Sequence, residues 1–75
     1  MLEEGLIITL DNHKQYIIVK MVEWKNQEYY YLLSTQKPIE NLIVKGNVHN
    51  NGMNFQSVSD SSEFETVMNL FQQAL

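Results

Sequence analysis

The 75-residue chain has no cysteine and no arginine, one proline (Pro38) and three glycines. Without cysteine, disulfides and thiolate metal sites are excluded, and the chain suits a reducing compartment. Without arginine it lacks the planar fork that grips phosphates and reads guanine. Its five basic residues (Lys14, Lys20, Lys25, Lys37 and Lys45) fall in five separate segments, and nine carboxylates outnumber them to give a net charge of −4. A nucleic-acid binder shows a basic stripe, so this balance disfavours nucleic acid as a partner. It suits an acidic surface that stays soluble or meets basic partners.

Long hydrophobic runs are also missing. No aliphatic stretch exceeds three residues, as in Leu6-Ile7-Ile8 and Ile17-Ile18-Val19, far short of the ~20 residues that span a bilayer. The opening Met1-Leu2-Glu3-Glu4 is acidic where a secretory signal needs positive charge. These features predict a cytoplasmic protein with no membrane partner. Nothing divides the chain into parts, and its length predicts one domain over residues 1–75. A domain this small buries only roughly 60% of its unfolded surface, so it depends on close packing or on self-association.

What is present is a run of strand signals followed by one helix. Leu6–Leu10 is short, β-branched and apolar, and a polar turn over Asp11-Asn12-His13-Lys14 follows. Gln15–Trp24 is a longer strand, and Lys25-Asn26-Gln27 is the next turn. Glu28–Ser34 contains Tyr29-Tyr30-Tyr31-Leu32-Leu33, of high β propensity. Thr35–Glu40 is a loop holding Pro38, which cannot donate to a ladder. Asn41–Val48 is a fourth strand with Gly46 as a bulge. Asn50-Asn51-Gly52 is a hairpin signal of type I′ form, and Met53–Val58 returns as the fifth strand. The period then becomes helical: Phe64, Val67, Met68, Phe71 and Leu75 make one apolar stripe, widened by Leu70 and Ala74. Asp60-Ser61-Ser62-Glu63 has the form of an N-cap with a reciprocal glutamate, so the helix spans Ser61–Ala74. Short turns imply an antiparallel meander. The predicted fold is α+β, a five-stranded antiparallel β-meander able to curl, with one C-terminal helix packed on it (βββββα).

That helix, roughly 21 Å long and about 10 Å wide, covers two or three strands of a sheet about 24 Å across. Yet the second strand is apolar on both sides, with Ile17, Val19 and Met21 opposite Tyr16, Ile18, Val22 and Trp24. In the third, Tyr29, Tyr31 and Leu33 lie opposite Tyr30 and Leu32. Three arrangements satisfy this surplus: a sheet curled over its own concave face, two copies packed together, or an apolar patch kept for a partner.

No nucleophile elbow, phosphate-binding glycine loop or zinc-type spacing occurs. His13 and His49 sit beside turns and read as solvated. Asp60 and Glu63 read as cap residues, Glu3 and Glu4 as part of a frayed terminus, and Glu23, Glu28 and Glu40 as solvated charges. Ser57, Ser59, Ser61 and Ser62 are turn and capping residues. The expectation is therefore no enzyme, no catalytic residue, no metal, no cofactor and no small-molecule substrate. The unusual feature is aromatic: Trp24, Tyr29, Tyr30 and Tyr31 lie on two adjacent strands around one turn. Such residues anchor protein partners or stack single-stranded bases. The candidate partner-binding residues are Trp24, Tyr30 and Leu32. The expected function is a protein-binding adaptor; a homodimeric module and a weak single-stranded nucleic-acid binder are the alternatives.

Three segments carry a family resemblance: Ile7-Ile8-Thr9-Leu10-Asp11, the Tyr-rich strand Glu28-Tyr29-Tyr30-Tyr31-Leu32-Leu33, and Phe55 to Val67, where a strand enters an acidic helix start. With them the chain resembles the DUF1292 family, the YrzB-like small bacterial proteins of unknown function. Members tend to carry Asp-Glu-rich turns, whereas the turns here hold Asn, His, Lys and Ser. The resemblance implies a cytoplasmic protein with no assigned active site, and no functional residues to carry over.

Overall fold

Lys25 and Asn26 make a two-residue turn. Both have positive φ (52° and 62°), as a type I′ turn requires; its twist matches that of the strands it joins. They link β2 (Gln15–Trp24) to β3 (Gln27–Ser34), and Trp24 pairs with Gln27 across the turn. The computed structural model describes residues 2–49 and 52–74. Around this hairpin, β1 (Ile7–Thr9), β4 (Asn41–His49) and β5 (Gly52–Ser57) complete one antiparallel sheet in the order β1-β2-β3-β4-β5, and α1 (Ser61–Ala74) follows. The predicted βββββα meander is the observed one, curled into a half-barrel. β1 is shorter than expected because its turn starts early: His13 donates its N–H to the carbonyl of Leu10, and Leu10 donates to that of Lys14. The expected type I′ turn at Asn50-Asn51-Gly52 falls on residues 50 and 51, outside the described residues. Gly52 itself already stands in β5, paired with His49.

The bulge is in β2, not at Gly46. Ile18 pairs with Leu32 and Lys20 with Tyr31, which leaves Val19 as an extra residue. One inserted residue reverses the side-chain alternation beyond it. Tyr16 and Ile18 therefore share the inner face with Met21, while Val22 and Trp24 pass to the outer face. The strict alternation expected from sequence put Met21 with Ile17 and Val19, and Val22 and Trp24 with Tyr16 and Ile18. The bulge exchanges these sets. Gly46 pairs in unbroken register with Glu28 on one side and Phe55 on the other. Its missing side chain serves packing, because a Cβ there would sit 2.7 Å from Met53 Cε and 2.8 Å from Tyr30 Cε2.

Two cores lie on opposite faces. On the inner one Tyr16, Ile18, Tyr30, Leu32 and Val44 are buried. Leu2, Ile8 and Leu10 close over them from one edge, and Met53 and Phe55 from the other. Curling thus accounts for the inner apolar face without a second copy. On the outer face α1 lays Val67 and Phe71 against Tyr29, flanked by Val22, Trp24, Tyr31, Ile43 and Val58. The N-terminal segment is docked rather than frayed. Leu2 donates its N–H to the Tyr30 hydroxyl at 3.2 Å, Gly5 donates to the carbonyl of Ile18 at 2.7 Å, and Glu4 pairs with Lys20 at 3.4 Å.

Asp60 caps α1: its Oδ1 accepts the Ser62 N–H at 3.0 Å, and its carbonyl accepts that of Phe64 at 2.9 Å. The reciprocal half of the expected capping box is replaced. Glu63 instead accepts the hydroxyl of Tyr29 and pairs with Lys45 at 3.5 Å, which ties the helix start to β3 and β4.

Candidate functional site

The three residues singled out by sequence separate in the fold. Trp24 is half-buried at the end of β2, its ring tilted against Tyr29 at 6.4 Å and the Lys25 ammonium 4.7 Å from its centroid. Tyr30 and Leu32 are each 0% exposed in the inner core. These two expected partner-binding residues are core residues instead: the edges of the curled sheet close over them, so they offer no surface. Base stacking loses its platform for the same reason. Tyr29 is buried beneath α1, and Tyr31 is half-buried with its ring 5.8 Å from that of Phe71.

The core tyrosines have a shared device that sequence reading missed. Each passes its hydroxyl out of an apolar core to a carboxylate: Tyr16 to Glu40 at 3.4 Å, Tyr30 to Glu28 at 2.6 Å, and Tyr29 to Glu63. Lys14 adds an ion pair to Glu40 at 3.0 Å, and this bond raises its pKa. Glu28 and Glu40 are thus hydrogen-bond acceptors for the core rather than merely solvated charges. Burial, reinforced by the bond to the carboxylate, pushes the pKa values of Tyr29 and Tyr30 up to about 12. These contacts hold the fold, because each buried hydroxyl needs its acceptor.

A polar concave surface of about 510 Å³ lies beside Trp24, lined by Lys25, Tyr29, Asp60 and Glu63, and two others adjoin each other. A groove of about 530 Å³ runs between α1 and the outer face of β4, lined by Tyr31, Ile43, Val58, Phe64, Met68 and Phe71. Phe64 is 39% exposed and Met68 38% exposed. The helical stripe placed both with Val67 and Phe71 as core; they differ because α1 is too narrow to press a wide stripe wholly onto the sheet. Leu75 of that stripe lies outside the described residues. The signal was available in the sequence: Phe64 and Met68 are four residues apart and so share one edge of the stripe. The second surface is a cleft of about 300 Å³ on the inner side, where the seam between β1 and β5 stays open. Leu10 and Asp11 line it from one side, and Met53, Asn54 and Phe55 from the other. Leu42 and Ser57 line both surfaces, so cleft and groove meet at the C-terminal end of β5.

Among the described residues no three His, Asp or Glu side chains gather into a metal-binding group. His13 is exposed in its turn at φ 64°. Among the same residues no helix is long and apolar enough to cross a membrane. The groove and cleft bring together apolar side chains with amide and hydroxyl rims, a chemistry suited to holding another chain. No family model matches this sequence, and no curated protein or solved structure matches it.

Proposed function

We propose that this chain is a small, non-enzymatic, cytoplasmic module that binds another protein. The observation that carries the reading is the exposed apolar groove beside α1, in which Phe64 and Met68 stand open next to Tyr31 and Ile43. The narrow helix leaves these two large apolar side chains together in a concave surface, and binding sites are built this way. Charge suggests the partner's character. Lys45 neutralises Glu63, but the net charge is −4 and Glu65 stands exposed on α1 next to Phe64, so an apolar segment with basic flanks complements the surface. The likeness to DUF1292 proteins is part of the same proposal and adds no residue to it.

The test is affinity capture of the tagged protein from native lysate, beside a Phe64→Ser, Met68→Ser double variant shown to fold by circular dichroism. A partner held by the wild type and lost by the variant supports the reading. Identical captures would sink it. A dimer by light scattering that the double substitution dissociates would assign the groove to self-association.

A further inference from the structure

Proteins guard the edges of their sheets against stray pairing by keeping edge strands short, charged, proline-bearing or bulged. One edge here, β1, has three residues and acidic neighbours: Glu3 and Glu4 before it and Asp11 after it. The other, β5, has none of these guards. It reads Gly52-Met53-Asn54-Phe55-Gln56-Ser57 with no charge and no proline, and it runs through six pairs with β4 without a bulge. In an antiparallel ladder alternate residues turn their N–H and C=O toward the neighbour and away from it. Two residues separate His49 from its partner Gly52. The His49–Gly52 pair therefore closes the hairpin with hydrogen bonds, as do Asn47–Asn54 and Lys45–Gln56 below it. The backbone groups of Met53, Phe55 and Ser57 then face the open edge.

Topology and surface shape agree on what fits there. With five alternating strands, β1 and β5 run in the same direction across the seam, so the two cannot close an antiparallel barrel by pairing with each other. One added strand of opposite direction is antiparallel to both. Laid along β5, its alternate side chains enter the inner cleft and point toward the outer groove, which meet at Ser57. We infer that the free edge of β5 accepts an extended segment of a partner protein as a sixth strand, apolar at alternate positions and flanked by Lys or Arg. The basic flanks follow from the net charge of −4 and from Asp11, which lines the cleft beside this edge, whereas a second copy would set like charge against like. Strand addition of this kind takes affinity from the main chain and specificity from alternate pockets. The inference rests on the protein-binding reading and supplies its mode.

The experiment selects from a displayed library of random linear peptides of about ten residues, the length of a long strand, against the full-length protein. The expected winners alternate apolar residues between Lys or Arg. In their complexes the amides of Met53, Phe55 and Ser57 gain protection from hydrogen exchange, while those of Asn54 and Gln56 are protected already. Ser57→Pro should weaken binding by roughly three- to tenfold, the loss of one strand-to-strand bond. It should leave the fold intact, because that N–H makes no bond within the sheet. Peptides that protect no edge amide, survive Ser57→Pro and are lost with Phe64→Ser, Met68→Ser would overturn the sixth strand and keep the groove. No selected peptide, or concentration-dependent edge protection in the free protein, would also overturn it, the latter in favour of a second copy. Failure of the protein-binding reading itself shows separately, as capture insensitive to the groove variant.

Discussion

Single side chains in this small fold work at two levels, and the tyrosines show it best. Tyr29 and Tyr30 give their rings to opposite cores and their hydroxyls to Glu63 and Glu28. Folding keeps both phenols protonated above their ordinary pKa of 10.0, up to about 12. Their contribution is therefore complete below pH 10 and is lost as pH rises toward 12. Urea midpoints measured across this range should fall together with the appearance of phenolate absorbance. A Tyr29→Phe, Tyr30→Phe variant should lack that part of the fall. Gly46 makes a second residue-scale case. Gly46→Ala forces a methyl against the buried Tyr30 ring and the end of Met53. Overpacking of this kind costs about 1–3 kcal/mol, read as a Tm lower by roughly 4–8 °C per kcal/mol. An unchanged Tm would show that the Met53 tip yields freely.

The elements owe their geometry to a few local choices. The β2–β3 turn needs two left-handed residues, and Lys25 adopts that backbone against its own preference. Changing Lys25→Asn with Asn26→Gly supplies the pair this turn favours. It should raise stability by about 1 kcal/mol in urea titration, less whatever the Lys25–Trp24 contact contributes. A destabilised double variant would mean that this contact outweighs the turn. The bulge at Val19 decides which side of β2 meets the helix. It leaves no mark in composition, because Ile17, Ile18 and Val19 satisfy either register equally well. Asp60 was legible as a cap from its place before the helical stripe, but the destination of Glu63 was not. Tyr29 and Lys45, its partners, lie 34 and 18 positions away in sequence and reach it only once α1 is laid across the sheet.

At the scale of the molecule, the half-barrel explains how 75 residues support two apolar faces. At ~0.05–0.15 kcal/mol per residue, a domain of this length is stable by roughly 4–11 kcal/mol. Leu32→Ala in the inner core removes about 2–5 kcal/mol of that. Circular dichroism with urea should show a protein close to unfolding, whereas Phe64→Ser, Met68→Ser should stay folded. The opposite order would place the core beside α1 and return Leu32 to the surface. This contrast separates residues that hold the fold from those able to face a partner. Trp24, Tyr30 and Leu32 looked alike as sequence because large side chains on strands serve equally well as core or as surface.

Local chemistry determined the order and type of the elements: strand runs broken by polar turns, then a capped amphipathic stripe, are short-range patterns legible in the chain. It also determined the acidic, arginine-free surface and the absence of disulfides. The tertiary structure alone decided which face of each strand is inside, because one inserted residue and the curl of the sheet set that together. It alone exposed Phe64 and Met68, since a narrow helix on a curved sheet cannot bury the whole of its stripe. The meander legible in the sequence already places β5 at an edge; only the curl of the assembled sheet sets a cleft beside it, because that curl brings β1 and β5 to face each other across an open seam.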